Sequence, residues 1–384
     1  MNSPLRTLSA YIHVPYCSVR CGYCDFNTYT GSELRGAKRS DFVQHVGLEI
    51  AHARRELSAT SDDRTLDTVF FGGGTPTILP ASDIAAVLDL LRDSFGFSAD
   101  AEITVEANPD TVDREYFDAL RASGVTRVSL GMQSSVPHVL RTLDRTHDPV
   151  RIPGLVEQAR ASGVAVSVDV IYGTPGESID DWQRTLDALG DLQLDHVSAY
   201  ALIVEDGTAL ARKIKRGEIA APDPDLHAEM YELADERFEL MGLSWYEVSN
   251  WSRSIETQSR HNLAYWRNHD WWGFGAGAHS HIGDRRWWNI KHPAAYGQAV
   301  SRGVSPQLGE EVPTEAQRSL EHTMLGLRIR EGIPLSMLTP RARLKVAELI
   351  STGLLDGIAA IEGTGRLTLR GRLLADTVIR ALTD

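Results

Sequence analysis

Six short apolar runs recur between residues 8 and 204, and each ends in a polar or Gly-rich turn that leads into an amphipathic helical pattern. The runs lie at 8–13, 68–71, 102–106, 127–130, 165–171 and 196–201, with helix-like stretches at 41–57, 81–95, 114–123, 149–162 and 179–189. Strand alternating with helix implies parallel strands joined by right-handed crossovers. Two architectures satisfy that pattern: an α/β partial or complete TIM-like (β/α)6 barrel, and a doubly wound open sheet. The unusual polar motifs sit where the predicted strands end, the face on which α/β folds place their chemistry.

A chain of 384 residues has room for such a core, expected over 1–204, plus appendages. Residues 205–310 read differently. An acidic helical stretch at 224–241 leads into an aromatic, His-rich and Gly-rich segment at 245–288 that holds seven of the eight tryptophans. From 311 to 384 a helical pattern is followed by a strand-like RLTLRG run within 363–371 and a last helix, an order similar to a winged helix. A packing or covering role is expected for it rather than DNA binding. It has no dense basic recognition helix, and a formal charge of −13 disfavours a nucleic-acid partner. No apolar run approaches the roughly 20 residues that span a bilayer, and the N-terminus lacks the pattern of a secretory leader. The expectation is a cytoplasmic protein, with which weak peripheral membrane attachment is compatible.

All three cysteines fall in one stretch, Cys17, Cys21 and Cys24, spaced C-x3-C-x2-C directly after the first predicted strand. Their clustering excludes a disulfide framework. Soft thiolates on a loop can hold three corners of an iron–sulfur cube, whereas zinc calls for a fourth Cys or His that this loop does not supply. A cube on three cysteines leaves one iron open to chelation by an amine and a carboxylate, groups that S-adenosylmethionine carries.

Other motifs follow along the same edge. Gly72-Gly73-Gly74-Thr75-Pro76 lets a ligand approach the backbone with no Cβ in the way, or makes a simple turn. Glu106 closes the third strand, Gln133 the fourth, and Asp169 is a lone carboxylate in an apolar run that must satisfy its charge. The guanidinium of Arg145 suits a carboxylate.

The cysteine loop and the motifs after it resemble the radical-SAM superfamily, and the resemblance spans nearly the whole chain. It implies a [4Fe–4S] cluster on the three cysteines and S-adenosylmethionine contacts from Tyr11, Tyr23, Gly73, Gly74, Thr75, Glu106, Gln133, Arg145 and Asp169, with Ile203 a further member. Within the superfamily the chain is similar to the branch of oxygen-independent coproporphyrinogen III oxidase and the HemW heme chaperones. The oxidase carries a fourth cysteine two residues past the third, where this chain has Phe26, and a longer extension before the cluster. His261-Asn262-Leu-Ala-Tyr265-Trp266 matches the HNxxYW pattern of the chaperones. The resemblance therefore implies heme binding, with His261 a candidate iron ligand, and transfer to respiratory-chain hemoproteins. The alternative is oxidative decarboxylation of a porphyrinogen. Gly273–His281 offers either a second ligand or a tight glycine turn, and Trp271, Trp272, Trp287 and Trp288 either an apolar wall or core.

Overall fold

Every one of the six runs forms a strand in the computed structural model, which describes residues 6–31, 34 and 36–383; residues 1–5, part of the segment read for a leader, lie outside them. The strands are β1 (Leu8–Val14), β2 (Leu66–Gly73), β3 (Phe97–Ala107), β4 (Arg127–Gln133), β5 (Ala165–Tyr172) and β6 (His196–Ala201). Between them run α1 (Phe42–Ala59), α2 (Ala81–Phe95), α3 (Arg114–Ala122), α4 (Pro137–Thr142), α5 (Ile152–Ala161) and α6 (Ile179–Gly190). Local chemistry sets the helix starts. Asp113 accepts from the Tyr116 N–H to cap α3, and Ser178 with Asp181 forms a reciprocal capping box on α6.

The strands pair in parallel and in chain order, β1 to β6. No reversal of order occurs, which removes the doubly wound alternative. β1 and β6 do not pair with each other, so the barrel is partial.

Its two faces differ in kind. On the outer face Ala10, Ile12, Val69, Phe71, Val105, Val128, Val168 and Val197 are buried against apolar residues of the helices, such as Ile50, Leu88 and Phe117. That face is the main core. On the inner face the alternate positions are polar: Ser9 and His13, Thr68, Thr104, Ser167 and His196 are all buried there. A parallel strand covered on both faces ordinarily reads as continuously apolar. Here the lumen is a polar compartment.

The stretch after residue 205 extends this sheet at both edges. β7 (Ser244–Glu247) and β8 (Asn250–Ser252) join antiparallel beside β6. On the other side β9 (Asp270–Phe274) lies parallel to β1, followed by β10 (His279–Ile282), β11 (Arg285–Asn289) and β12 (Gln307–Glu311) in antiparallel order. The four expected wall tryptophans separate by strand alternation. Trp272 and Trp287 meet edge to face at 4.8 Å within the main core, while Trp271 packs against Tyr265 and His281 on the lumen side.

A second apolar cluster, including Leu327, Ile333, Leu349, Leu355 and Val378, belongs to the C-terminal helices. The RLTLRG run is not a strand. Thr364–Gly365 pairs with Ile333–Pro334, Leu367 makes a lone antiparallel bridge with Leu355, and Thr368 caps a helix at Leu369–Leu373. The Thr cap and the good helix formers after it outweigh the alternation.

The C-terminal helices are tied to the helix Pro224–Leu240 by one buried ion pair. Arg372 meets Asp235 at 2.6 Å, both side chains under a tenth exposed, and its guanidinium lies over the rings of Tyr231 and Trp245. Trp251 Nε1–H also donates to Asp235. Arg372→Met would strand a buried carboxylate and is expected to lower unfolding free energy by about 3–5 kcal/mol. Urea denaturation measures this, and an unchanged midpoint would show that the pair does not anchor the C-terminal unit.

Candidate cofactor site at the barrel mouth

The cysteine loop is closed at its base before it carries any ligand. Tyr29 N–H donates to Pro15 O at 2.8 Å and Cys17 N–H to Tyr29 O at 3.1 Å, so the two ends of the loop lie side by side. All three thiols are partly buried. Burial, and then the proximity of the thiols to one another, raises the pKa of Cys17 and pushes that of Cys24 to about 11. The groups therefore share one small volume. Among the described residues no three His, Cys, Asp or Glu side chains converge on a single-ion position. The spacing suits a cube, which takes each thiolate on a separate iron, better than one zinc ion.

The glycine motif seals the other side. Gly74 N–H donates to Val14 O and Thr75 N–H to Tyr16 O, both at 2.8 Å. A Cβ on Gly74 would lie 2.5 Å from Tyr16 O and 3.0 Å from Cys17 Sγ, so only glycine allows this approach. Gly73 has φ +106° and lies against the His13 ring. Two polar hydrogens point at sulfur: Thr75 Oγ1 is 3.8 Å from Cys17 Sγ and Arg145 Nη1 is 3.7 Å from Cys21 Sγ.

Arg145 links that loop to the fourth strand. Its Nη2 donates to Gly131 O at 3.0 Å, while Nε is buried with no partner among the described residues. Gln133 follows a register shift after Gly131 and holds a left-handed backbone, φ 63°, an uncommon state for a residue with a Cβ. Tyr23 is packed beside Cys21 and Arg145, and burial raises its pKa.

Two carboxylates complete the mouth. Glu106 accepts from Gly73 N–H at 3.2 Å; burial, then the charge of Asp169, pushes its pKa to about 8. Asp169 accepts from Ser129 Oγ at 2.9 and 2.8 Å, and burial raises its pKa too. Neither has a basic partner among the described residues. A buried, unpaired acid is costly, and a cationic ligand would relieve both.

Below them is a cavity of about 190 Å³ lined by Tyr11, Glu106, Asp169, His261 and Tyr265, among others. His261 is 1% exposed. Its Nδ1 bonds Thr68 Oγ1 at 2.7 Å, its Nε2 bonds Tyr265 OH at 2.8 Å, and its ring stacks on Phe70 at 5.0 Å. Both nitrogens of this expected heme ligand are thus hydrogen-bonded, because the helix Arg260–Trp266 turns the imidazole into the lumen. Ile203 stands apart, 68% exposed in the loop after β6.

With this geometry in place, comparisons with known proteins place the chain. Residues 11–189 match the radical SAM superfamily model. A heme chaperone HemW of Mycobacterium tuberculosis is 47% identical over 99% of this chain and 95% of its own length. The chain belongs to the HemW family. A HemW of Bacillus subtilis is 33% identical over 85% of this chain and 84% of its own. Among solved structures, the radical-SAM coproporphyrinogen III oxidase of Escherichia coli matches with a TM-score of 0.83 and 25% identity, covering 99% of this chain and 91% of that one. HemW membership in the radical-SAM superfamily implies an iron–sulfur cluster and S-adenosylmethionine. The thiol trio, the glycine cradle and the unpaired acids fit both. No helix among the described residues is long and apolar enough to cross a membrane.

Four further residues line the lumen of this HemW-family chain without any motif to mark them: Ser167, His196, Ser198 and Tyr200. Their signal is the alternation of polar residues at 167 and 169 in β5 and at 196, 198 and 200 in β6.

The raised Glu106 gives a signed pH dependence. Between the ordinary 4.5 and about 8 the folded protein keeps a proton that the unfolded chain has lost. Its contribution is therefore fully present below about pH 4.5 and fades as pH rises toward 8. Glu106→Gln stays neutral, so its stability relative to the parent is expected to grow from about pH 5 to about pH 8, as read from urea midpoints of the ligand-free protein. A constant difference would show that Glu106 ionises normally.

Proposed function

We propose that this HemW-family protein is a heme chaperone that binds heme and passes it to hemoproteins of the respiratory chain, with a [4Fe–4S] cluster and S-adenosylmethionine as its resident groups. Cys17, Cys21 and Cys24 hold the cluster, and Thr75 and Arg145 direct polar hydrogens toward its sulfur ligands. The backbone of Gly73 and Gly74 and the side chains of Tyr11, Tyr23, Gln133 and Arg145 surround the sulfonium ligand, with Ile203 at its outer side. Glu106 and Asp169 accept its N–H and O–H groups, and their charge offsets its cation. When bound, the cluster would supply an open iron for the amine and carboxylate of that ligand to chelate.

One observation carries the choice of chaperone over oxidase. Phe26, 61% exposed, stands at the place of the oxidase's fourth cysteine, and the helix Arg260–Trp266 carries the His261-Asn262-Leu-Ala-Tyr265-Trp266 pattern of the chaperones.

The test is one anoxic preparation reconstituted with iron and sulfide. About four irons per chain are expected, lost when any of the three cysteines becomes Ala, together with saturable heme binding and no conversion of coproporphyrinogen III to protoporphyrinogen IX. Turnover of the porphyrinogen would replace this reading with the oxidase, and zinc in place of iron would remove the cofactor assignment.

A further inference from the structure

The HNxxYW pattern contains two pairs of residues spaced i, i+4, and side chains at that spacing share a face of a helix. His261 and Tyr265 make one pair, joined at 2.8 Å and lining the lumen. Asn262 and Trp266 make the other, and both hydrogen-bond the side chain of Glu247 at the end of β7. Asn262 Nδ2 donates to Glu247 Oε1 at 3.4 Å, and Asn250 at the start of β8 donates to the same oxygen. Glu247 is 1% exposed, and burial raises its pKa to about 8. Its Oε2 and Asn250 Oδ1 are buried acceptors with no partner among the described residues.

A helix of seven residues is too short to hold a place by its own hydrogen bonds, so its surroundings must fix it. Glu102 takes the N–H groups of Arg260 and His261 at 3.1 and 3.0 Å. Tyr246 OH accepts from the Ser259 N–H at 3.1 Å, just ahead of the first turn. Glu247, the next residue of β7, holds the flank. β7 is itself an edge strand, and C-terminal residues cover that edge. Arg330 N–H donates to Tyr246 O at 2.8 Å, Val248 N–H donates to Arg328 O at 2.9 Å, and Ile329 bridges Glu247. Ile329 also packs with Tyr246, Leu263 and Trp266 in a small apolar cluster. The C-terminal unit, β7 and the motif helix thus form one contiguous block.

We propose that Glu247 is a positioning residue for heme binding, fixing the helix Arg260–Trp266 through Asn262 and Trp266, and that residues 328–330 of the C-terminal unit set Glu247 in turn. The proposal rests on the heme-binding reading above and adds what keeps the motif in place. Groups that orient a metal's ligands from outside change affinity about ten- to a hundredfold without touching the metal. Glu247 stands in that relation to His261, one helical face away.

The experiment titrates hemin into the reconstituted full-length protein and follows the Soret band and the electron paramagnetic resonance of the ferric iron. Iron content and S-adenosylmethionine affinity are measured on the same samples. Glu247→Ala is expected to alter both spectra and weaken hemin binding about tenfold or more, with iron content and S-adenosylmethionine affinity at the parent level. Glu247→Gln keeps the accepting oxygen and offers an N–H where two acceptors lack one, so it should restore the parent spectra and affinity. Glu247→Met, which fills similar space without an acceptor, should not. Combining Glu247→Ala with Asn262→Ala should weaken binding no further than the more affected single variant, because both remove one contact. If Glu247→Ala does not fold, Trp266→Phe, which removes only an N–H, decides in its place with the same expectation. Parental spectra and affinity in the deciding variant overturn the proposal, as do fully additive losses in the double variant or parental behaviour of Glu247→Met. A parent protein that binds no hemin removes the heme-binding reading itself, and this role with it.

Discussion

β1 is the constraint on which the rest of the molecule depends. It pairs in parallel with β2 on one side and β9 on the other, so it joins the barrel to its four-stranded extension. Leu8, Ala10, Ile12 and Val14 fill the core between sheet and helices, and Ser9, Tyr11 and His13 face the lumen. Its C-terminal end leads straight into the cysteine loop, whose backbone is clamped by Gly74 and Thr75 from the next strand's end. Because side-chain direction alternates along a strand, a one-residue slip would exchange these two sets of residues. Core packing and cofactor geometry are thus fixed by one register.

The lumen shows what that arrangement costs. Glu106 and Asp169 are buried near one another with no basic partner among the described residues. Glu49, by contrast, accepts from Tyr296, Asn289 and the Gly275 N–H, all on the extension side of β1. That acid is satisfied within the fold and secures α1 to the extension. The pair at the mouth is satisfied only by neutral donors. The difference separates a buried acid that holds structure from two that a positively charged ligand would relieve.

Much of this was legible in the sequence, and the limits have physical causes. The six parallel strands were readable because their outer positions are dense in Val, Ile and Leu, and strand ends coincide with glycine or polar motifs. The clustering of Cys17, Gly74 and Glu106 followed from the rule that such ends share a face, whereas Arg145 follows α4 and is brought there by its bond to Gly131 O. The edge strands were harder to read. β9 to β11 mix tryptophan, glycine, histidine and arginine, so neither a period of two nor the direction of pairing stands out. His261 illustrates a further limit. A motif announces an imidazole, but whether its nitrogens are open depends on Thr68 and Tyr265, which lie on other turns and strands.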